Sequence, residues 1–134
     1  MKIRISLLLG FILFDAFLLR AQEIFQFSYS ASGDDVIEWI IPANDGNLVL
    51  AGNTNSFDES GDGLIMKTDQ HGNIIWSKIY GGPGLDQIVR IISCTGGGYV
   101  AIGLTDSYGQ GDRDAWITRI NEDGEVTWSY SFGS

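Results

Sequence analysis

Aspartates recur at matched positions in this 134-residue chain, and carboxylate chemistry is the first activity that they suggest. Asp35 and Asp86 lie 51 residues apart, and Asp62 and Asp114 lie 52 residues apart. Two carboxylates at a suitable separation can act as general acid and base, for example in glycoside hydrolysis. A catalytic group is needed once per active site, however, whereas each of these aspartates occurs once per copy of a repeated sequence. We therefore expect them to accept hydrogen bonds within loops rather than to catalyse a reaction.

A second acidic pattern approaches the loop of a calcium-binding EF-hand. Asp58, Ser60, Asp62 and Gly63 read D-x-S-x-D-G, and Asp69 occupies the twelfth position of such a loop. The flanking sequence has no helical periodicity, Asp69 is shorter than the usual bidentate glutamate, and the second copy lacks the spacing. We predict an acidic loop between two strands and no cofactor, with calcium kept as the alternative.

His71 is the only histidine of the chain, and Cys94 is the only cysteine. A zinc site of Cys and His and an internal disulfide therefore cannot be assembled from these residues, and we expect no Ser-His-Asp triad around His71. His71 lies in a Gly-containing turn and aligns with Asp123, so we predict that its side chain is exposed. Cys94 aligns with Ala43 of the first copy, and we predict a small buried side chain there rather than a reactive thiol.

The four tryptophans offer flat apolar surfaces that can stack on sugars or quinones. Trp76 and Trp128 recur with the repeat, so we expect them to pack between repeated units. Trp39 and Trp116 have no aromatic counterpart in the other copy and are the less constrained pair. From these patterns we assign no residue a catalytic, cofactor-binding or metal-binding role.

These side chains belong to a sequence that contains an internal repeat. The segment that begins at Phe25 returns 51 residues later from Trp76, and the segment from Asp62 returns 52 residues later from Asp114. A period of this length is typical of proteins built from tandem structural units. The predicted units are a first repeat at about 25–75, a second at about 76–127 and the start of a third at 128–134.

Each copy contains four short apolar runs separated by Gly, Asp and Asn, which is the pattern of an all-β fold. The predicted strands of the first meander are 36–41, 48–53, 63–68 and 74–80, and those of the second are 88–93, 99–104, 115–120 and 126–132. The turns NDGN and TGGG supply residues that can adopt the positive φ of tight hairpins. Four strands joined by three short connections make one antiparallel meander.

The central strands LVLAG and YVAIG are apolar on both faces, so both faces of each sheet must be covered. A four-stranded sheet that is repeated in tandem and covered by its neighbours is a β-propeller blade. β-Helices have shorter repeats, and an immunoglobulin-like sandwich would not be internally duplicated. We predict an all-β, β-propeller-type fold with two tandem four-stranded blades of an incomplete propeller.

The first residues have the pattern of a cleavable export signal. Lys2 and Arg4 precede an apolar run, and Ala21 supplies the small residue of a cleavage site. The uninterrupted run ends at Asp15, short of the roughly 20 apolar residues that a membrane-spanning helix needs. We predict a signal peptide at 1–21, a mature domain at 22–134 and a secreted or cell-surface location, with no membrane insertion after cleavage.

The negative charge of the chain argues against polyanionic partners. The full chain has a net charge of −9, and loss of residues 1–21 removes three cations and one carboxylate to leave −11. Such a surface repels phosphate backbones and anionic lipids, so we expect neither nucleic acid nor a membrane surface as partner. A protein or a glycan remains as the expected partner.

The second copy carries most residues of a repeat that runs W-x-K-x-Y-G-G, D, G-G-Y-x-x-x-G-x-T-x-S, D-x-W-x-x-K, D-x-x-G-N and W. The matching residues are Trp76, Lys78, Tyr80, Gly81, Gly82, Asp86, Gly97, Gly98, Tyr99, Gly103, Thr105, Ser107, Asp114, Trp116, Arg119 (in place of Lys), Gly124 and Trp128. This order resembles secreted β-propeller repeat proteins of Bacteroidota and, more loosely, kelch blades and the tryptophan-docking repeats of quinoproteins. Phe25, Ser30, Ala31 and Leu64 depart from it, which indicates a divergent first blade.

The resemblance implies an exported protein, often a substrate of the type IX secretion system that carries a C-terminal sorting domain. Two blades alone leave two apolar faces bare, so we expect further blades of the same chain or, as the lesser alternative, self-assembly of several chains into a ring. The leading hypothesis for function is a non-catalytic scaffold or binding platform for protein or glycan. The alternative is a fragment of a propeller enzyme, quinoprotein-like or glycan-active, whose site is completed by other blades.

Overall fold

The computed structural model describes residues 28, 32–57, 60–110 and 112–133. These residues form eight strands and no helix: β1 (Asp35–Pro42), β2 (Leu48–Thr54), β3 (Asp62–Thr68), β4 (Ile74–Tyr80), β5 (Asp86–Ser93), β6 (Tyr99–Thr105), β7 (Asp114–Ile120) and β8 (Val126–Phe132). Strands β1 to β4 form one antiparallel sheet in chain order, and β5 to β8 form a second. We call these sheets blade 1 and blade 2.

The predicted all-β class is confirmed, and each predicted strand agrees with the observed one to within two residues at either end. The two sheets are propeller-like blades that do not close into a ring among the described residues. The described part of the chain also contains no helix long and apolar enough to span a membrane. The predicted signal peptide at 1–21 lies outside the described residues.

The sequence repeat and the sheets are displaced from each other by one strand. Trp76, where the second repeat begins, lies in β4 of blade 1, and Trp128 lies in β8 of blade 2. The residues from 128 to 132 therefore form the last strand of blade 2.

The first strand of each blade carries a β-bulge at the same repeat position. The register shifts between Ile37 and Trp39 in β1 and between Ile88 and Arg90 in β5. The neighbouring strand has a glycine there, Gly52 or Gly103, and a Cβ on either would overlap a carbonyl oxygen of the bulged strand. Glycine is needed because the two backbones approach so closely. A bulge also redirects side chains, here those of Trp39 and Arg90.

The hydrophobic core lies between the two blades, in what we call the junction. Alternate residues of a strand share one face, so each blade presents every second residue to the other. The buried residues are Ala43, Val49, Ala51, Ile65 and Tyr80 of blade 1, and Ile88, Ile91, Tyr99, Ala101, Trp116 and Ile120 of blade 2. Burial of a large aliphatic side chain contributes about 1.5–3 kcal/mol. The junction therefore holds the two sheets together.

Candidate functional site

The outermost strand of blade 1, β4, binds the turn between β7 and β8 of blade 2. Trp76 Nε1 donates to the Glu122 carbonyl at 3.0 Å, Tyr80 OH donates to the Gly124 carbonyl at 2.8 Å, and Lys78 pairs with Glu125. Burial and the nearby Glu125 carboxylate both raise the pKa of Tyr80, so its hydroxyl stays protonated and can donate. The prediction that Trp76 packs between repeated units agrees with this contact.

Glu122 is the centre of an ionic network across the junction. Its Oε1 accepts from the Gly98 backbone N–H at 2.9 Å, and its Oε2 accepts from Tyr99 OH at 2.8 Å and Lys67 Nζ at 3.2 Å. The Gly98 and Tyr99 bonds lower the pKa of Glu122. Lys67 also pairs with Asp45 at 2.8 Å, and these hydrogen bonds outweigh burial and raise the pKa of Lys67. Every ionised group of the network is thus held in its charged form.

Two groups of this network that could act as base or nucleophile are held protonated at neutral pH. Burial and the Glu122 carboxylate raise the pKa of Tyr99 to about 12, so the phenol remains protonated. The Lys67 ammonium has a raised pKa and therefore remains protonated and non-nucleophilic. The geometry is that of a clamp between blades.

Three of the four repeated aspartates, Asp35, Asp86 and Asp114, accept hydrogen bonds from nearby loops, as the sequence predicted. The bonds are Thr54 Oγ1 and Ser56 Oγ to Asp35 Oδ1, Gly82 N and Ser107 Oγ to Asp86 Oδ2, and Gln110 N to Asp114 Oδ2. Asp35 and Asp86 use the same position to close equivalent loops in the two blades. Their recurrence therefore follows from the loop geometry that each blade repeats.

The EF-hand-like spacing does not bring its carboxylates together. Asp62 begins β3 and Asp69 follows its end, which separates them by about 20 Å of extended strand. Asp69 instead caps the next turn, where it accepts from the backbone N–H groups of His71 at 2.8 Å and Asn73 at 2.9 Å. His71 is exposed in that turn, as predicted. Asp58 lies outside the described residues.

Asp62 instead lies against Asp86 of the other blade. A Cβ built on Gly81 would overlap Asp62 Oδ1 and lie 2.8 Å from Asp86 Oδ2. Both aspartates are buried. Gly81 is thus a glycine because two carboxylates occupy the space where a side chain would begin. In the described residues, no group of three or more His, Cys, Asp and Glu side chains is arranged to hold a metal ion.

The two tryptophans without a counterpart have different environments. Trp116 is buried, and its Nε1 donates to Ser129 Oγ at 2.7 Å, so it belongs to the core. Trp39 is 38% exposed, and the Arg90 guanidinium carbon lies 4.5 Å from the centre of its ring. Arg90 aligns with Trp39, so one repeat position supplies both halves of this cation–π pair. Sequence reasoning missed Arg90, although the unlike residues at one aligned position were a usable signal.

The prediction of a buried side chain at Cys94 is wrong, because Cys94 is half-buried. Its counterpart Ala43 is buried in the junction, where the Asn44 amide reaches across to the Cys94 carbonyl at 3.3 Å. The hairpin that carries Cys94 has no equivalent neighbour on its other side among the described residues.

Blade 2 presents an open apolar groove on the face that points away from blade 1, which we call the outer face. The groove has a volume of about 510 Å³ and is lined by Val89, Ile102, Leu104, Ala115, Ile117 and Phe132, among others. Trp128 and Tyr130 lie on the same face, with ring centres 5.6 Å apart. In blade 1 the equivalent face is the one that blade 2 covers.

The fold and the junction define the class of this protein as a tandem array of propeller-like blades. Neither the protein-family models nor the curated protein sequences gave a match to the chain.

Proposed function

We propose that this chain is a non-catalytic β-propeller repeat module of an exported or cell-surface protein, which serves as a scaffold and binding platform for a protein or a glycan. One observation carries the proposal. The outer face of blade 2 repeats, residue position for residue position, the face of blade 1 that forms the junction, yet it is exposed. A repeated docking face that is still open is the mark of a unit that stacks on a further blade.

Chain extension tests the stacking role. A variant that carries a second copy of 82–133 directly after Gly133 gains a third blade, and we expect its thermal midpoint to rise because a second junction forms. Amide hydrogen exchange should slow in β8 (Val126–Phe132), the edge strand that the new blade would contact. An unchanged midpoint together with unchanged exchange in β8 would contradict the proposal.

The binding surface of the platform lies at Trp39 and Arg90. A carboxylate or a backbone carbonyl accepts from each of four cationic side chains, Lys67, Lys78, Arg113 and Arg119. Arg90, in the described structure, forms no hydrogen bond or ion pair. Its N–H groups, held over an exposed indole, suit a carboxylate or sulfate on a glycan. The two blades also differ in chemical type at this repeat position.

A glycan array read with wild-type protein and with the Arg90→Gln variant tests this surface. We expect signals from uronate-bearing or sulfated glycans that the variant loses, with neutral glycans unaffected. If the wild-type protein binds no glycan, the glycan form of the proposal is excluded and a protein ligand remains.

Export is tested at the N-terminus. The mass of the protein recovered outside the cytoplasm should correspond to a chain that starts at Gln22, because Ala21 supplies the small residue before the cleaved bond. A recovered chain that still carries residues 1–21 would contradict a cleaved signal.

A further inference from the structure

One oxygen of a completely buried carboxylate has no partner. Asp86 is 0% exposed, and its Oδ2 accepts hydrogen bonds from Gly82 N at 2.6 Å and from Ser107 Oγ. Its Oδ1 forms no hydrogen bond, and no Lys, Arg or His of the described residues pairs with it. A buried charge is strongly destabilising unless it is paired or bound to a metal, so this carboxylate needs either a counter-ion or a proton.

A second buried carboxylate lies beside the first. Asp62 comes from β3 of blade 1 and is 8% exposed, and its Oδ1 and the Oδ2 of Asp86 both lie within 2.8 Å of the position that a Cβ on Gly81 would occupy. The Gly61 carbonyl adjoins the pair, because it accepts from the Asp86 backbone N–H at 3.0 Å. Two carboxylates at close quarters repel each other, and burial strengthens that repulsion. The sequence nevertheless places an aspartate at both positions.

We propose that Asp62 and Asp86 hold a divalent cation between the two blades, and that the ion is calcium. The donors are oxygens only, which selects a hard cation, and one divalent charge balances the two carboxylates. Calcium fits better than magnesium because the site is buried and magnesium gives up its water shell reluctantly. Backbone carbonyls of the junction, with that of Gly61 as one candidate, would complete the oxygen ligands. The site differs from the EF-hand-like spacing because it uses Asp62 without Asp69.

This site would form at the contact between blades, so it would appear only when two blades pack together. Asp114 repeats Asp62 in blade 2, and Asp35 repeats Asp86 in blade 1. Each of them lacks, in the described residues, the carboxylate of an adjoining blade. Asp35 therefore provides a matched control for Asp86.

Thermal unfolding of the wild-type chain in EDTA and in about 10 mM calcium chloride tests the proposal. Extracellular calcium modules bind with dissociation constants of roughly 0.1–1 mM, so saturation should raise the midpoint by about 5 °C or more. Sodium chloride at equal ionic strength controls for screening, which stabilises any chain of such high net charge. The Asp86→Asn variant should lose the calcium response, and the Asp35→Asn variant should keep it.

A direct titration supports the unfolding experiment if a variant fails to fold. Calorimetric addition of calcium chloride to the wild-type chain should detect binding, and magnesium chloride should compete weakly. Three results would overturn the proposal. They are an equal response to sodium and calcium, a calcium response that survives in Asp86→Asn, and a calcium-insensitive stability that rises as the pH falls from 7 to 5. The last result would mean that a shared proton balances the pair.

Discussion

Blade 1 and blade 2 present the same face of the same repeated sheet to different surroundings. Ala51 is 0% exposed at the junction, whereas Ile102 at the equivalent position of blade 2 is 47% exposed. Tyr80 is 6% exposed, and its counterpart Phe132 is 63% exposed. The strands and their register are alike in the two blades. Burial is therefore a property of the contact between blades and is not determined by the repeat alone.

The polar groups of the two faces also have different partners, because only the face of blade 1 has a neighbouring blade among the described residues. Lys67 crosses the junction to Glu122, whereas Arg119, at the equivalent position of blade 2, turns back to the Gly97 carbonyl of its own blade at 3.0 Å. Trp76 donates to the Glu122 carbonyl, and Trp128 remains partly exposed. A blade supplies the donors of a junction, and the next blade must supply the turn that accepts from them.

Truncation of Tyr80, a buried aromatic residue of the junction, should give the largest loss in the free energy of unfolding. We expect Tyr80→Ala to reduce the free energy of unfolding by about 3–5 kcal/mol, because it leaves a cavity and removes the donor to the Gly124 carbonyl. Phe132→Ala should change it by no more than about 0.5 kcal/mol, since that ring is mostly in water. Urea denaturation of both variants measures the difference. Similar losses in the two variants would mean that the outer face of blade 2 is already covered in solution.

Tyr80→Phe separates the two contributions of that side chain. It keeps the ring and removes only the hydroxyl, so the expected loss is about 0.5–1.5 kcal/mol. A loss as large as that of Tyr80→Ala would assign the stability to the hydrogen bond rather than to packing.

The sequence was sufficient for the blade architecture and insufficient for the junction. Hydrophobic runs and turn residues are local signals, and they located every strand because each strand repeats its own pattern. The contacts of Glu122 join residues that lie far apart in the chain, such as Lys67 and Gly98, and no local pattern encodes such pairs. The prediction that Cys94 is buried was wrong for the same reason. Alignment assumed that equivalent residues have equivalent neighbours, and the Cys94 hairpin lacks, among the described residues, the neighbour that the Ala43 hairpin has.

Ala51 and Ile102 occupy the same repeat position, and exchanging their side-chain sizes should give the next largest difference in stability between the blades. Ala51→Ile inserts three carbons into a closed junction and should cost about 1–3 kcal/mol through overpacking. Ile102→Ala removes the same atoms from an exposed groove and should cost about 0.5 kcal/mol or less. Thermal unfolding monitored by circular dichroism compares the two. An Ala51→Ile variant with wild-type stability would show that the junction is loosely packed.

Removal of the charge at the centre of the clamp should have a smaller effect, about 1 kcal/mol. Glu122→Gln keeps an acceptor for the Gly98 N–H but loses the ionic bond to Lys67, which retains Asp45 as its partner. Gln70 occupies the same position in the turn of blade 1, where its amide donates to the Gly46 carbonyl. Gln70→Glu is therefore the matched control, and we expect its stability to change little.

The contribution of the Glu122 charge should depend on pH. A carboxyl whose pKa is lowered by folding contributes stability that is complete above its unfolded pKa and is lost as the pH falls through its folded value. Because the pKa of Glu122 is lowered from 4.5, the wild-type chain should keep its full advantage over Glu122→Gln at neutral pH and lose it progressively below about pH 4.5. Urea midpoints of both proteins between pH 7 and pH 3 measure this advantage. A constant difference across that range would mean that Glu122 acts through its shape and hydrogen bonds, and that its charge contributes nothing to the contact between the blades.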